Sequence, residues 1–150
     1  MRYRAYVRSE PRDRHATRGL SATALAALDQ QGAPPCQLTI VLTSDEAIRD
    51  LNRRFLGEDA TTDVLAFPDG SHDEETGRLH LGDIVIAVPC ARRQAETSGN
   101  TLIDELRLLV VHATLHLLGH DHDETARRDR MWGAQHAILE RLGWKAKMPQ

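Results

Sequence analysis

Residues 108–123 read Leu-Leu-Val-Val-His-Ala-Thr-Leu-His-Leu-Leu-Gly-His-Asp-His-Asp. His112 and His116 are four positions apart, and a helix advances roughly 100° per residue, so the two imidazoles stack on one face, one turn apart. Gly119 follows, a residue that tolerates the left-handed backbone with which helices end and chains turn back. His122 comes three residues later, where the returning chain can bring a third imidazole to the first two. Three neutral imidazoles with an open fourth position form a hydrolytic zinc site. The reading is therefore a central helix ending in a metal site, with His112, His116 and His122 as ligands to one Zn2+. The competing reading, ordinary core or surface histidines, requires each ring nitrogen on an apolar helix to find some other partner.

The same spacing occurs in zinc proteases carrying His-Glu-x-x-His-x-x-Gly-x-x-His. Here the glutamate position holds Ala113. That glutamate is the protease's general base, and alanine has no proton to exchange. The metal cage matches; the peptide-cleaving chemistry does not.

At 150 residues the chain is expected to form one domain, residues 1–150, with enough length for a sizeable core. Hydrophobic residues at 41% and charged residues at 27% are ordinary for a soluble globular protein. The arginine-rich first twenty residues lack the apolar core of a signal peptide. No apolar run reaches membrane-spanning length. Cys36 and Cys90 are far apart and outside any C-x-x-C pattern, which suits reduced buried thiols and a cytoplasmic setting. A net charge of −3 excludes a polybasic nucleic-acid binder, although a bound metal would add local positive charge. Lys145 and Lys147 are the only lysines; the arginine bias suits phosphate but also fits a biased genome.

Outward from the histidine helix, element signals are regular. Residues 2–8 alternate as an edge strand and residues 9–18 form a polar loop. Ser21 is placed to cap a helix running to Gly32, and Pro34-Pro35 breaks the chain. Residues 36–43 are a β-branched strand. Ser44 caps a helix with Ile48, Leu51 and Phe55 on one face, stopping near Gly57. A polar loop, 58–63, leads to a short strand at 64–67. Residues 69–78 form an acidic turn in which His72 is a surface residue. Residues 79–87 make a strand bulged at Gly82, and a helix follows Pro89 to Gly99. The histidine helix occupies about 102–118. A last helix covers about 124–142, with Met131, Ile138, Leu139 and Leu142 on its apolar side. The expected fold is α/β (α+β): one domain with a small mixed central sheet, about five helices, and the metal site at the end of a central helix.

The run at 112–122 resembles the signature of the YbeY-type endoribonucleases, the rRNA maturation factors. Three further blocks agree, in the family's order: Leu51-Asn52 through Phe55, Thr62 through Pro68, and Leu81 through Ile86. Together they cover the chain from about residue 36 to 142. The resemblance implies a single α/β domain with one Zn2+ on His112, His116 and His122. It implies cleavage of single-stranded RNA in rRNA maturation (16S rRNA 3′-end processing) and ribosome quality control. It also implies a bacterial cytoplasmic setting, rRNA precursor as substrate, contact with the small ribosomal subunit and its associated proteins, and no membrane partner. The chain departs from the family pattern at three places. Ala113 stands where glycine is usual and His120 where tyrosine is usual. Leu56 follows the aromatic Phe55, where the family carries an arginine implicated in RNA cleavage. Arg53 and Arg54 lie nearby on different helix faces, so no catalytic side chain is assigned. A zinc-stabilised assembly factor without catalysis and a zinc peptidase are the alternative functions.

Other residues carry weaker signals. Asp121 either orients a ligand or shapes the turn, and His120 should face away from the metal if His122 binds it. Asp63 either fixes the loop beside the metal or starts an Asx turn. Asp83, within a strand, is placed to answer a backbone or imidazole donor. His15, His80 and His136 read as structural or surface residues. Arg127, Arg128 and Arg130 read as a solvated helix face, with an RNA path as the alternative. Trp132 and Phe67 read as core rather than as base-stacking platforms.

Overall fold

The computed structural model describes residues 2–10, 17, 19–119 and 125–142, and of residues 125–128 the backbone alone. His15, His120, Asp121 and His122 lie outside the described residues, as do the side chains of Arg127 and Arg128.

Among the described residues four strands form one sheet in the order β1-β2-β4-β3: β1 (Tyr3–Ser9), β2 (Cys36–Thr43), β3 (Val64–Pro68) and β4 (Leu79–Ala87). The pairs β1–β2 and β2–β4 are parallel and β3–β4 is antiparallel, so the sheet is small and mixed, with the first strand on an edge. The described residues also form five helices: α1 (Leu20–Gln30), α2 (Asp45–Leu56), α3 (Val88–Ser98), α4 (Leu102–Leu117) and α5 (Thr125–Arg141). No described helix is long and apolar enough to cross a membrane.

Alternation along β2 separates the two faces of the sheet. Leu38, Ile40 and Leu42 point into the main core with Leu20, Ala24 and Leu28 of α1 and Leu106, Leu109, Val110, Ala113 and Leu117 of α4. On the opposite face Ile48 of α2 packs with Leu65, Val85 and Ala87. The far side of α4 carries Leu108, Val111 and Leu115 against Met131, Ile138 and Leu139 of α5. Helix α4 is therefore apolar on two opposed stripes because it lies between the sheet and α5. His112 and His116 fall roughly 90° from each stripe at helical geometry, on the flank that neither layer covers.

Several starts and stops differ from the sequence reading. Helix α1 begins at Leu20, with Gly19 as its cap, not at Ser21. The Ser21 hydroxyl instead donates to the Ala5 carbonyl of β1 (2.9 Å), a tertiary bond that outcompetes the local one. Helix α3 begins at Val88, one residue before Pro89, which sits in the first turn where a missing N–H costs nothing. Helix α2 matches its signals: Ser44 Oγ accepts from the Ala47 N–H (3.2 Å), and Gly57 closes the end. The β4 irregularity lies one residue before the glycine. Gln37 pairs with His80 and Leu38 with Gly82, leaving Leu81 as the extra residue. The bulge puts His80 and Asp83 on one face, and His80 Nε2 donates to Asp83 Oδ1 (3.0 Å) while Gln37 Nε2 lies 3.4 Å from His80 Nδ1. Asp83 thus answers an imidazole, as its position in the strand suggested.

Candidate metal centre

Helix α4 is nucleated by Thr101, whose hydroxyl accepts from the Asp104 N–H (3.1 Å), with Asp104 and Glu105 in the first turn. Both residue types suit the positive end of a helix. Three turns later the chain presents His112 and His116. Their Nε2 atoms are 3.2 Å apart, with ring centroids 4.7 Å apart and planes at 71°. Two nitrogens each about 2.0–2.1 Å from one tetrahedral zinc ion are about 3.4 Å apart. The pair therefore has the spacing of two ligands to a single ion. On the other side of the first ring, His112 Nδ1 lies 3.1 Å from Gln135 Oε1 on α5. Beyond the pair the helix gives way at Leu118, and Gly119 follows with φ 97°, a backbone that side-chain-bearing residues avoid. The helix end expected there is present. The third expected ligand, His122, lies outside the described residues, and among the described residues no group of three His, Cys, Asp or Glu could hold a metal.

The two rings face a cleft of about 540 Å³. Its far wall comes from α2 and β3: Leu56, the Thr62-Asp63 loop and residues of the edge strand through Pro68. That loop is tied down from α2, where the buried Asn52 donates through Nδ2 to the Ala60 carbonyl (2.9 Å). The Ala87 N–H donates to the Asp63 carbonyl (2.9 Å) at the end of β4, and Thr62 Oγ1 is 3.4 Å from Asp63 Oδ1. Asp63 lines the cleft beside the imidazoles.

Leu56 is 58% exposed and forms part of the cleft wall. No arginine or lysine is among the described residues lining that cleft. Arg53 and Arg54 pair with the two carboxylate oxygens of Asp50, at 2.6 Å and 3.3 Å. Phe55 stands exposed, edge-on to Phe67 at 5.7 Å. A larger groove of about 730 Å³ opens on the opposite face of the sheet, between β1, β2 and α2, and holds no imidazole. Trp132 is half-buried, Arg130 and His136 are exposed, and His136 lies 3.8 Å from Glu140.

Asp63 also borders a small cavity with Cys90, Arg93 and Glu105. Burial pushes the Glu105 carboxyl above its ordinary range, opposed by the Asn100 Nδ2 donor at 3.1 Å. Burial likewise raises the thiols of Cys36 and Cys90, which keeps them protonated and unreactive.

Two residues of the site escaped the sequence reading. Gln135 carried a signal, a polar residue on the apolar stripe Met131–Ile138–Leu139–Leu142. Asn52 carried none beyond its place in a shared block.

A family model described as "Endoribonuclease YbeY" matches residues 8–143. The Endoribonuclease YbeY of Synechococcus sp. (strain JA-2-3B'a(2-13)) is 49% identical over 112 residues, covering 70% of this chain and 68% of that protein. The Endoribonuclease YbeY of Thermus thermophilus is 41% identical over 120 residues, covering 79% and 84%. The chloroplastic Endoribonuclease YBEY of Arabidopsis thaliana is 40% identical over 120 residues, and the match spans 20% of that longer protein. The solution structure of TM1509 from Thermotoga maritima superimposes with a TM-score of 0.59 at 23% identity, covering 93% of this chain and 91% of that one; it shares the fold.

Proposed function

The chain belongs to the YbeY endoribonuclease family, and on that premise we propose that it cleaves single-stranded RNA with one zinc ion held by His112, His116 and His122. As a member of that family it is a hydrolase of RNA phosphodiester bonds. The observation that carries the metal reading is the 3.2 Å separation of the His112 and His116 Nε2 atoms at the lip of an open cleft. The donor set fits zinc: neutral imidazoles on one helix face, one already engaged through its other nitrogen. Bound there, zinc would supply Lewis acidity toward a phosphoryl oxygen and lower the pKa of water. The protein's own part is to fix the two rings on one flank of a helix held between two packed layers, facing the cleft. Held by the neutral imidazoles of His112, His116 and His122, the ion would keep its +2 charge uncancelled, and the cleft beside them would favour a phosphate. The substrate proposed is an rRNA precursor, met at the small ribosomal subunit in the cytoplasm, with residues 1–150 acting as one domain.

Cleavage of a single-stranded oligoribonucleotide, lost on chelation and restored by one equivalent of Zn2+, is the expected result; duplex RNA of the same sequence should stay intact. Unchanged cleavage in excess chelator would reject the reading. Leu56 favours a second one, a zinc-stabilised assembly factor that binds the small subunit without cutting. Fully metal-loaded protein that binds the subunit yet leaves RNA intact would establish it. A peptidase is disfavoured by Ala113, which is buried in the main core and offers no base.

A further inference from the structure

Between Met131 and Ile138, on the stripe of α5 that packs against α4, stands Gln135, 1% exposed. A leucine or methionine would fill that place without a hydrogen-bonding demand, and a carboxamide buried there is costly unless it is bonded. Its Oε1 lies 3.1 Å from Nδ1 of His112, whose Nε2 faces Nε2 of His116. We infer that Gln135 is a positioning residue for the metal ligand His112, its carboxamide oxygen holding the ring as the Nδ1–H tautomer.

This inference rests on the metal reading above and deepens it. With the proton on Nδ1, the Nε2 lone pair points to the position shared with His116. With the amide turned over, its NH2 would face Nδ1, force the proton onto Nε2 and close the site. Metal-bound histidines generally donate their second N–H to a carboxylate, carbonyl or water, and losing that partner weakens metal binding about 10- to 100-fold. The choice of carboxamide over carboxylate has its own consequence. A neutral partner orients the ring without subtracting from the positive charge that attracts phosphate.

The test uses the full chain with Gln135→Met, which keeps the volume and removes the acceptor, and Gln135→Glu, which keeps an oxygen and adds a charge. Zn2+ affinity is measured by competition with a chromophoric chelator. The tautomer is read from histidine ¹⁵N shifts of the metal-free protein at a pH where the ring is neutral. The wild type should show His112 as Nδ1–H. Gln135→Met should lose about 10- to 100-fold in Zn2+ affinity and mix the tautomers. Gln135→Glu should bind Zn2+ at least as tightly as wild type and be less inhibited by inorganic phosphate. An Nε2–H tautomer in the wild type, or wild-type Zn2+ affinity in Gln135→Met, would overturn the inference; the first readout serves even if that variant does not fold. A wild type that binds no Zn2+ would instead remove the metal reading, while the tautomer measurement would still decide the bond to Gln135.

Discussion

Leu56 forms part of the wall across the cleft from two imidazoles, in the position where the family pattern carries an arginine. Because it is more than half exposed, replacing it leaves the buried core untouched. Leu56→Arg is expected to lower KM for single-stranded RNA several-fold and to steepen its log–log salt dependence by about 0.7, the value for one added phosphate contact on a single strand. Initial rates across a salt series check this; an unchanged slope would place the new guanidinium away from the RNA. A second prediction concerns Glu105. Its carboxyl is held above the ordinary value of 4.5 mainly by burial, so the folded state binds the proton more tightly than the unfolded one. That contribution is fully present below the unfolded value and is lost as pH rises through the folded one. Glu105→Gln should therefore melt at a higher temperature than wild type at pH 7.5, with the gap closing as pH falls toward 4.5; a gap that is constant with pH would contradict it. At this scale the histidine pair was legible because its geometry is local, four residues on one helix. The bond from His112 to Gln135 was not, since its partner is 23 residues away and only the packing of α5 on α4 brings it near.

Among the elements, the edge strand β3 decides the width of the cleft, and its position depends on Gly82 of β4. A Cβ at Gly82 would meet the Phe67 carbonyl oxygen at 2.4 Å and a Leu117 methyl at 2.7 Å. Backbone cannot yield as a flexible side chain can, so Gly82→Ala should push β3 outward. The expected cost is about 1–3 kcal/mol, the usual range for overpacking, seen in chemical denaturation together with a loss of RNA cleavage. Wild-type stability in this variant would show that the strand moves freely. A cap explains why the start of α2 was readable: Ser44 makes the bond that its type prefers. Ser21 misled because its hydroxyl serves β1 across the fold, a contact that carries no local pattern. The bulge was placed within one residue by the glycine, yet its result, His80 beside Asp83, follows from strand register.

For the molecule as a whole, α4 is the axis, enclosed by the sheet on one side and α5 on the other, with its histidine flank left open to the cleft. The alternation of strands and helices made the fold class readable. The insertion of β4 between β2 and β3 was not, because strand order is set by pairing between distant segments. In the proposed function this open flank, completed by His122, would hold one metal ion on which RNA cleavage depends. The most direct measurement is native mass spectrometry of the wild type and His116→Ala, with RNA cleavage assayed on the same samples. One ion per wild-type chain, little or none in the variant, and a parallel loss of cleavage are the predicted results. Equal cleavage by the two proteins, or a variant that keeps its full metal content, would contradict the account.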